Sequence, residues 1–336
     1  MANSSKFERI IEEASWMPEK VKQNLSSFYH GYKKALDQHQ VDPASYQYWF
    51  DEFLEMIRMH LETPFIFQPY HERIRHPRDY YKWGNDFFHR LADEKTSSVH
   101  GHEQIKEIVS HLKKGHNVIL LANHQVEADP QAISLLLDPQ YPRLAEEMIF
   151  VAGERVITDP LAVPFSMGRN LLCIYSKRYI DHPPEKKAEK QHHNKRAMEL
   201  MRLLLQEGGK CIYVAPSGGR DRRNAQGVVE VAKFDPQSIE MFYLMAQKAK
   251  TPTYFYPMAL ATYDMFPPPE TVQIELGETR RSKRGPIHLS VGPVLDMEHY
   301  PGYDLNDKHD RRGARADHIW NQVYTDYKKL LKGAPR

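Results

Sequence analysis

The chain has 336 residues, with 46 Lys and Arg against 44 Asp and Glu and a formal net charge of +2. That length is ample for a packed core without disulfides or structural metals. A near-zero charge excludes bulk nucleic-acid binding while leaving room for a local basic patch. Mean hydropathy is -0.66, and the longest apolar run, Met241 to Ala246, has six residues. A bilayer span needs roughly 20, so an integral membrane protein is not expected. Only Cys173 and Cys211 are present, which excludes a disulfide framework and Cys-based zinc sites and points to a reducing compartment. The stretch Met1 to Glu8 reads as neither a signal nor a transit peptide.

The first roughly 95 residues read as helical, with no strand. Val21, Leu25, Phe28, Tyr32 and Leu36 form one stripe at helical period. Tyr46, Trp49, Phe50, Phe53, Leu54, Ile57 and Leu61 form a second, preceded by Asp42-Pro43 as an N-cap with proline at the first helical position. Short helices of this kind bury little alone, so a small antiparallel bundle of three or four is expected. Pro64, Pro69 and Pro77 mark its exit, and Phe87, Phe88 and Leu91 suggest one more helix.

From about residue 100 the pattern changes to helices alternating with short buried strands. Ile105, Ile108, Val109 and Leu112 form a helical face ending at Gly115, a C-cap residue. Val118 to Ala122, Met148 to Ala152, Leu171 to Tyr175, Cys211 to Ala215 and Thr253 to Leu260 are near-continuous apolar runs, the signature of strands covered on both faces. Glu185 to Gln206 and Ser238 to Lys248 are helical between them, with Pro183 to Arg196 a Lys/His/Glu-rich, solvated face. Val272 to Leu276 and Ile287 to Val291 look like later strands. A final helix carries Ile319, Val323, Tyr327 and Leu330. The expected fold is α/β, a mostly parallel mixed sheet flanked by helices, with a small N-terminal helical bundle. The division falls at residues 1–75 for the bundle and 76–336 for the α/β domain.

Three strand ends carry chemistry. Asn123-His124-Gln125-Val126-Glu127-Ala128-Asp129-Pro130 follows the strand Val118 to Ala122, at the sheet edge where open α/β folds bind ligands. Folded back, Asp129 can accept from one imidazole nitrogen of His124 and leave the other as a general base; Asp129 before Pro130 also reads as a helix cap. Ala215-Pro216-Ser217-Gly218-Gly219-Arg220-Asp221-Arg222-Arg223 offers close backbone approach and guanidinium forks suited to phosphate, or a solvated turn whose charges pair with Asp221. Lys177-Arg178 is a third basic group past a strand. If these strands are parallel neighbours, the three ends converge.

These residues resemble the ordered blocks of the glycerolipid acyltransferases. The blocks are His124-x4-Asp129, Val151 to Pro160, Ala215 to Arg222, and Tyr256-Pro257-Met258-Ala259-Leu260. The wording Asn-His-Gln-x-Glu-Ala-Asp-Pro and Pro-Ser-Gly-Gly-Arg-Asp-Arg is most similar to the soluble glycerol-3-phosphate acyltransferases of plastids and related bacteria. The motifs span roughly residues 115 to 295, and the helical N-terminus suits the same two-domain layout.

The resemblance implies that His124 takes the proton from the 1-hydroxyl of glycerol 3-phosphate, which attacks an acyl thioester directly to give lysophosphatidate. It implies that Asp129 holds the imidazole, and that no cofactor or metal is used. Arg220 and Arg222 match the phosphate-binding arginines. The family's Lys-Lys-His run reads here as Lys177-Arg178-Tyr179, so Arg178 keeps the charge and Tyr179 replaces a histidine. Arg155 in the second block is a further candidate, and Pro257 is read as ending its strand. The implied donor is acyl-(acyl carrier protein), an acidic partner, or acyl-CoA. The run Arg280-Arg281-Ser282-Lys283-Arg284 is either a docking patch for such a partner or simply a basic loop. A monomer is expected, without nucleic acid and with transient contact at a membrane surface. The setting is bacterial cytoplasm, or plastid stroma for a mature plant-type chain. The alternatives are a lysophosphatidate acyltransferase, a metal-dependent hydrolase built on His124, Glu127 and Asp129, and a non-catalytic anion-binding module using Arg220 to Arg223.

Overall fold

In the run Val118 to Ala122 every residue is apolar because successive side chains point to opposite faces of a sheet and both faces are covered. Val118, Leu120 and Ala122 join one core with Tyr256, Met258 and Leu260, while Ile119 and Leu121 join a second core with Phe255 and Ala259. The structure is a computed structural model, and it describes residues 6–42, 44–177, 180–269 and 280–333. Pro43 of the proposed cap, the strand expected at Val272 to Leu276, Arg178 and Tyr179 lie outside the described residues.

In chain order, α1 (Lys6–Glu13), α2 (Glu19–Asp37) and α3 (Ala44–Glu62) lead to β1 (Tyr70–His71), α4 (Tyr80–His89), β2 (Ser98–His100) and α5 (His102–Lys113). Next come β3 (Asn117–Ala122), α6 (Asp129–Leu137), α7 (Pro142–Glu147), β4 (Ile149–Ala152), α8 (Arg155–Thr158), α9 (Val163–Ser166) and β5 (Asn170–Cys173). The chain continues through α10 (Lys187–Glu207), β6 (Cys211–Val214), β7 (Arg222–Arg223), β8 (Val229–Glu230) and α11 (Pro236–Ala249). It closes with β9 (Thr253–Ala261), β10 (His288–Val291) and α12 (Lys308–Gly333). The main sheet has 8 strands in the order β1-β5-β4-β6-β3-β9-β10-β2. From β5 to β9 all neighbours are parallel, with Leu120 of β3 opposite Tyr213 of β6 and Tyr256 of β9. β1 is antiparallel to β5 at one edge, and β10 is antiparallel to β9 near the other. The α/β class, the mostly parallel sheet and the N-terminal helices match the sequence reading.

The helical stripes of α2 and α3 turn inward as expected. Phe28 packs on Phe87 and Phe266 at ring separations of 5.8 and 5.6 Å, and Phe53 on Phe165 at 5.2 Å. Burying each such ring stabilises the docked helices by roughly 1.5–3 kcal/mol. These aromatic side chains belong to the same core as Leu120 and Met258. On the other face, Met201, Leu205, Phe242, Ile319 and Val323 from α10, α11 and α12 form the second core.

Several expectations need correction. The first 95 residues are not free of strand, because Tyr70 and His71 pair with Leu172 and Leu171 at the sheet edge. Two residues beside Pro69 carry no alternation that could announce a strand. Pro257 does not end β9; it lies inside it, opposite Leu121. It is tolerated where the ladder to β10 has already stopped, since pairing there runs only from Met258 onward. The Pro183 to Arg196 face is not uniformly solvated. Lys190 is buried, with Nζ donating to the His182 carbonyl and lying over the Tyr175 ring, and His193 stacks on Phe67 at 4.6 Å.

For function, the consequence of this topology is geometric. With β5, β4, β6, β3 and β9 parallel, the loops after their carboxyl ends open along one edge of the sheet. The loops bearing His124 and Arg220 leave adjacent strands, β3 and β6. Arg155 starts α8 just past β4, the strand beyond β6, and Lys177 follows β5.

Candidate active site

Asn123 is fully buried and behaves as a piece of backbone. Its amide donates to the Leu260 carbonyl at 3.0 Å and its oxygen accepts the Leu260 N–H at 2.8 Å, extending the β3–β9 ladder past its end. On the β6 side the Tyr213 hydroxyl donates to the Asn123 carbonyl at 2.8 Å, and burial holds that phenol well above its ordinary range. Gln125 repeats the arrangement, its oxygen accepting from the N–H groups of Thr262 and Tyr263 at 2.7 and 3.0 Å. His124 is thus presented between two anchored amides, with its side chain 31% exposed.

The imidazole Nδ1 donates to Asp129 Oδ2 at 2.7 Å, and the Asp129 side chain is 1% exposed. The same oxygen accepts the N–H groups of Gln125 and Val126 at 2.7 and 3.3 Å, while Oδ1 accepts the Thr262 hydroxyl at 2.6 Å. This corrects the reading of Asp129 as a helix cap. It is the first residue of α6, and its side chain accepts from the loop behind it instead of from the helix. The arrangement fixes one tautomer, with the proton on Nδ1 and Nε2 as the basic nitrogen. Thr262→Val removes one hydrogen bond to a buried carboxylate, so the unfolding free energy in urea is expected to fall by about 1.5–3 kcal/mol.

Arg220 and Arg222 flank Asp221, and the three side chains do not share a direction. Both arginines are half-buried, whereas Asp221 is fully buried. Its carboxylate accepts from Asn123 Nδ2 at 2.8 Å, Gln125 Nε2 at 3.1 Å and the Ala232 N–H at 2.9 Å. The Asp221 N–H donates to the His124 carbonyl at 2.6 Å. The turn whose charges pair with Asp221 is therefore not what forms; Asp221 faces the His124 loop. Arg222 donates to the Pro269 carbonyl and sits opposite Glu230 in the β7–β8 hairpin. Lys177 Nζ reaches Asp235 at 2.9 Å, at the start of α11.

Burial pushes the Asp221 carboxyl up to about 6; hydrogen bonds from Asn123, Ala232 and Gln125 restrain the rise, and the Asp129 charge adds to it. A carboxyl raised in the folded state contributes stability that is complete below its unfolded value of about 3.9 and is lost as pH rises through about 6. Ionisation of Asp221 therefore makes the folded state less stable at neutral pH than at acid pH.

The basic run at Arg280 is corrected as a docking patch at its first member. Arg280 is 3% exposed at the side chain. Nε and Nη2 fork onto Glu127 at 2.8 and 2.7 Å, and Nη2 also reaches Asp159 at 3.1 Å. Burial works against its charge, but Glu127 and Asp159 hold the guanidinium well above its ordinary range. Ser282 is buried too, while Arg281 and Lys283 are exposed. Glu127 is thereby committed to an ion pair, which removes it from the alternative metal centre with His124 and Asp129. Among the described residues, the one cluster with metal-ligand spacing is Asp307, His309 and Asp310, all exposed at the start of α12. The two cysteines lie inside β5 and β6, buried, and burial raises both thiols to about 12, which leaves no thiolate nucleophile.

His124 paired with a buried carboxylate at the edge of a mostly parallel sheet, beside a loop of alternating arginines, suits an enzyme of the acyltransferase class. The family model called Acyltransferase matches residues 97–261, from the strand-helix entrance of the sheet through β9. The chain is 38% identical over 326 residues to the chloroplastic glycerol-3-phosphate acyltransferase ATS11 of Cucurbita moschata, covering 96% of this chain and 72% of that protein. It is 37% identical over 333 residues to the chloroplastic glycerol-3-phosphate acyltransferase of Spinacia oleracea, covering 96% and 68%. A crystal structure of the 1-acyl-sn-glycerophosphate acyltransferase PlsC from Thermotoga maritima aligns over 93% of this chain and 98% of that one, with 16% identity and a TM-score of 0.41. The chain belongs to the glycerol-3-phosphate acyltransferase family. Among the described residues, no helix is long and apolar enough to cross a membrane.

Sequence reasoning missed Asn123, Gln125, Asp221 as a buried anchor, Thr262 and Arg280. Asn-His-Gln beside a strand end carries a polar signal, but only the fold reveals that both amides serve as ladder extensions. Thr262 has no local signal at all.

Proposed function

We propose that the protein transfers a fatty acyl group from a thioester donor to the sn-1 hydroxyl of glycerol 3-phosphate, giving lysophosphatidate. His124 Nε2 takes the hydroxyl proton as the oxygen attacks the thioester carbonyl. The C–O ester bond forms, the C–S bond breaks, and the imidazolium returns its proton to the departing thiolate. Asp129 keeps the proton on Nδ1 and stabilises the imidazolium. Arg220 and Arg222 clamp the phosphate dianion, with Arg178, Tyr179 and Arg155 as further contacts. The donor is acyl-(acyl carrier protein) or acyl-CoA, in an aqueous reducing compartment such as bacterial cytoplasm or plastid stroma. One observation carries the reading: the part-exposed His124, its tautomer set by Asp129, is joined by a single backbone hydrogen bond of 2.6 Å to the residue between the two arginines. General-base help supplies about 10²–10⁴-fold, and holding the two substrates side by side must supply much of the rest.

Purified protein is offered radiolabelled glycerol 3-phosphate with palmitoyl and oleoyl thioesters of carrier protein and of CoA. Lysophosphatidate is the expected product. No product with any donor from folded protein would sink the reading. Arg220→Ala loses charge-assisted hydrogen bonds worth about 1.5–3 kcal/mol. The KM for glycerol 3-phosphate is therefore expected to rise roughly 10- to 150-fold with little change for the acyl donor.

A further inference from the structure

The structure holds a second carboxylate beside the site, Asp221, that makes no contact with His124's ring yet touches the loop on both sides of it. Its oxygen Oδ2 gathers the side-chain amides of Asn123 and Gln125, at 2.8 and 3.1 Å, and these two residues bracket His124. Its backbone N–H holds the His124 carbonyl at 2.6 Å. Its other oxygen, Oδ1, takes the Ala232 N–H at 2.9 Å, just past β8, so the arginine loop is tied down at its far side as well. Arg220 and Arg222 are its covalent neighbours. Any displacement of this one carboxylate moves the base and the arginines together.

We infer that Asp221 is a positioning residue that sets the distance between the His124 base and the arginines at 220 and 222, coupling capture of the phosphate to the placement of the reacting hydroxyl. The inference rests on the acyl-transfer reading for its substrate and goes beyond it in assigning a role to a residue that touches neither substrate nor the reacting atoms. A glycerol 3-phosphate spans base and phosphate clamp through its three-carbon backbone, so the separation between the two must be fixed before the substrate arrives. Three donors to one buried carboxylate fix it more firmly than a turn on the surface could. The Asp129 charge adds to the effect of burial on Asp221, and the buried Tyr213 and Tyr327 hydroxyls feel its field in turn.

The test is Asp221→Asn in the full chain. Asparagine has the same shape but sets an N–H₂ donor against either the Asn123 and Gln125 amides or the Ala232 N–H, so the latch is lost with little change in volume. A misplacement of about 1 Å costs roughly 100-fold in kcat, and the KM for glycerol 3-phosphate is expected to rise about 10-fold with the KM for the acyl donor nearly unchanged, measured below a thermal midpoint that falls. Thr262→Val, which loosens Asp129 from the β9 side only, is expected to lower kcat without moving the KM for glycerol 3-phosphate. Wild-type kcat and KM in folded Asp221→Asn would overturn the proposal. Should that variant not fold, Gln125→Met cuts the same latch from the other side, and wild-type parameters there overturn it equally. Calorimetric binding of glycerol 3-phosphate and of inorganic phosphate separates this from the assignment of the activity. If wild type binds but turns over no donor, the acyl-transfer reading fails, while weaker binding by Asp221→Asn still supports the coupling and equal binding removes it.

Discussion

His124→Ala is expected to lower kcat by about 10²–10⁴-fold, the range that a positioned general base supplies, while leaving the KM for glycerol 3-phosphate close to wild type. The split follows from the geometry. In the proposed reaction the imidazole acts on the hydroxyl and the arginines hold the phosphate, so truncation removes an interaction that matters only in the transition state. The fold should survive the change. Asp129 loses one donor but keeps the N–H groups of Gln125 and Val126 and the hydroxyl of Thr262, so no buried carboxylate is left bare. Steady-state kinetics with thermal unfolding alongside decides it. A kcat within 10-fold of wild type in a folded His124→Ala protein would leave the family assignment intact and remove the general base.

The parts of this fold that could be read in advance are those whose pattern is local. β3, β6 and β9 are continuous apolar runs because they are covered on both faces, and the stripes of α2 and α3 repeat at helical period. Edge strands escape such reading: β1 is two residues long, and β2 is held mainly by its parallel pairing to β10, which lies about 190 residues later in the chain. The site divides along the same line. His124 and Asp129 are five apart, and their pairing at 2.7 Å was legible from spacing and resemblance. A carboxylate between two arginines fits a surface turn as well as a phosphate loop, and only the fold shows Asp221 turned inward onto Asn123 and Gln125. The burial of Arg280 is hidden from the sequence for a different reason. Its acidic partners are 153 and 121 residues away, and nothing in a run of basic residues tells which one the fold will bury.

That burial makes Arg280→Leu the substitution with the largest expected loss of stability. Replacing the guanidinium with an apolar side chain takes away the cation that forks onto Glu127 and reaches Asp159, and breaking a buried pair from one side costs about 3–5 kcal/mol. Arg280→Lys recovers only part of this, because a single ammonium cannot fork onto Glu127 while reaching Asp159. The pH dependence identifies the cause. The attraction that the substitution removes is between a cation and two ionised carboxylates, so the deficit relative to wild type is greatest at neutral pH and narrows on acidification. Urea unfolding at pH 7.5 and pH 5 reads both quantities. Adding Glu127→Gln to Arg280→Leu should restore a good share of the loss at neutral pH, since it removes one of the two opposed charges. A deficit below about 1 kcal/mol, or one that does not change with pH, would mean that the ion pair is nearly neutral to stability, as some buried pairs are. The consequence for activity runs through the loop itself. Glu127 lies two residues before Asp129, so the fork from Arg280 also tethers the segment that carries the carboxylate bonded to His124.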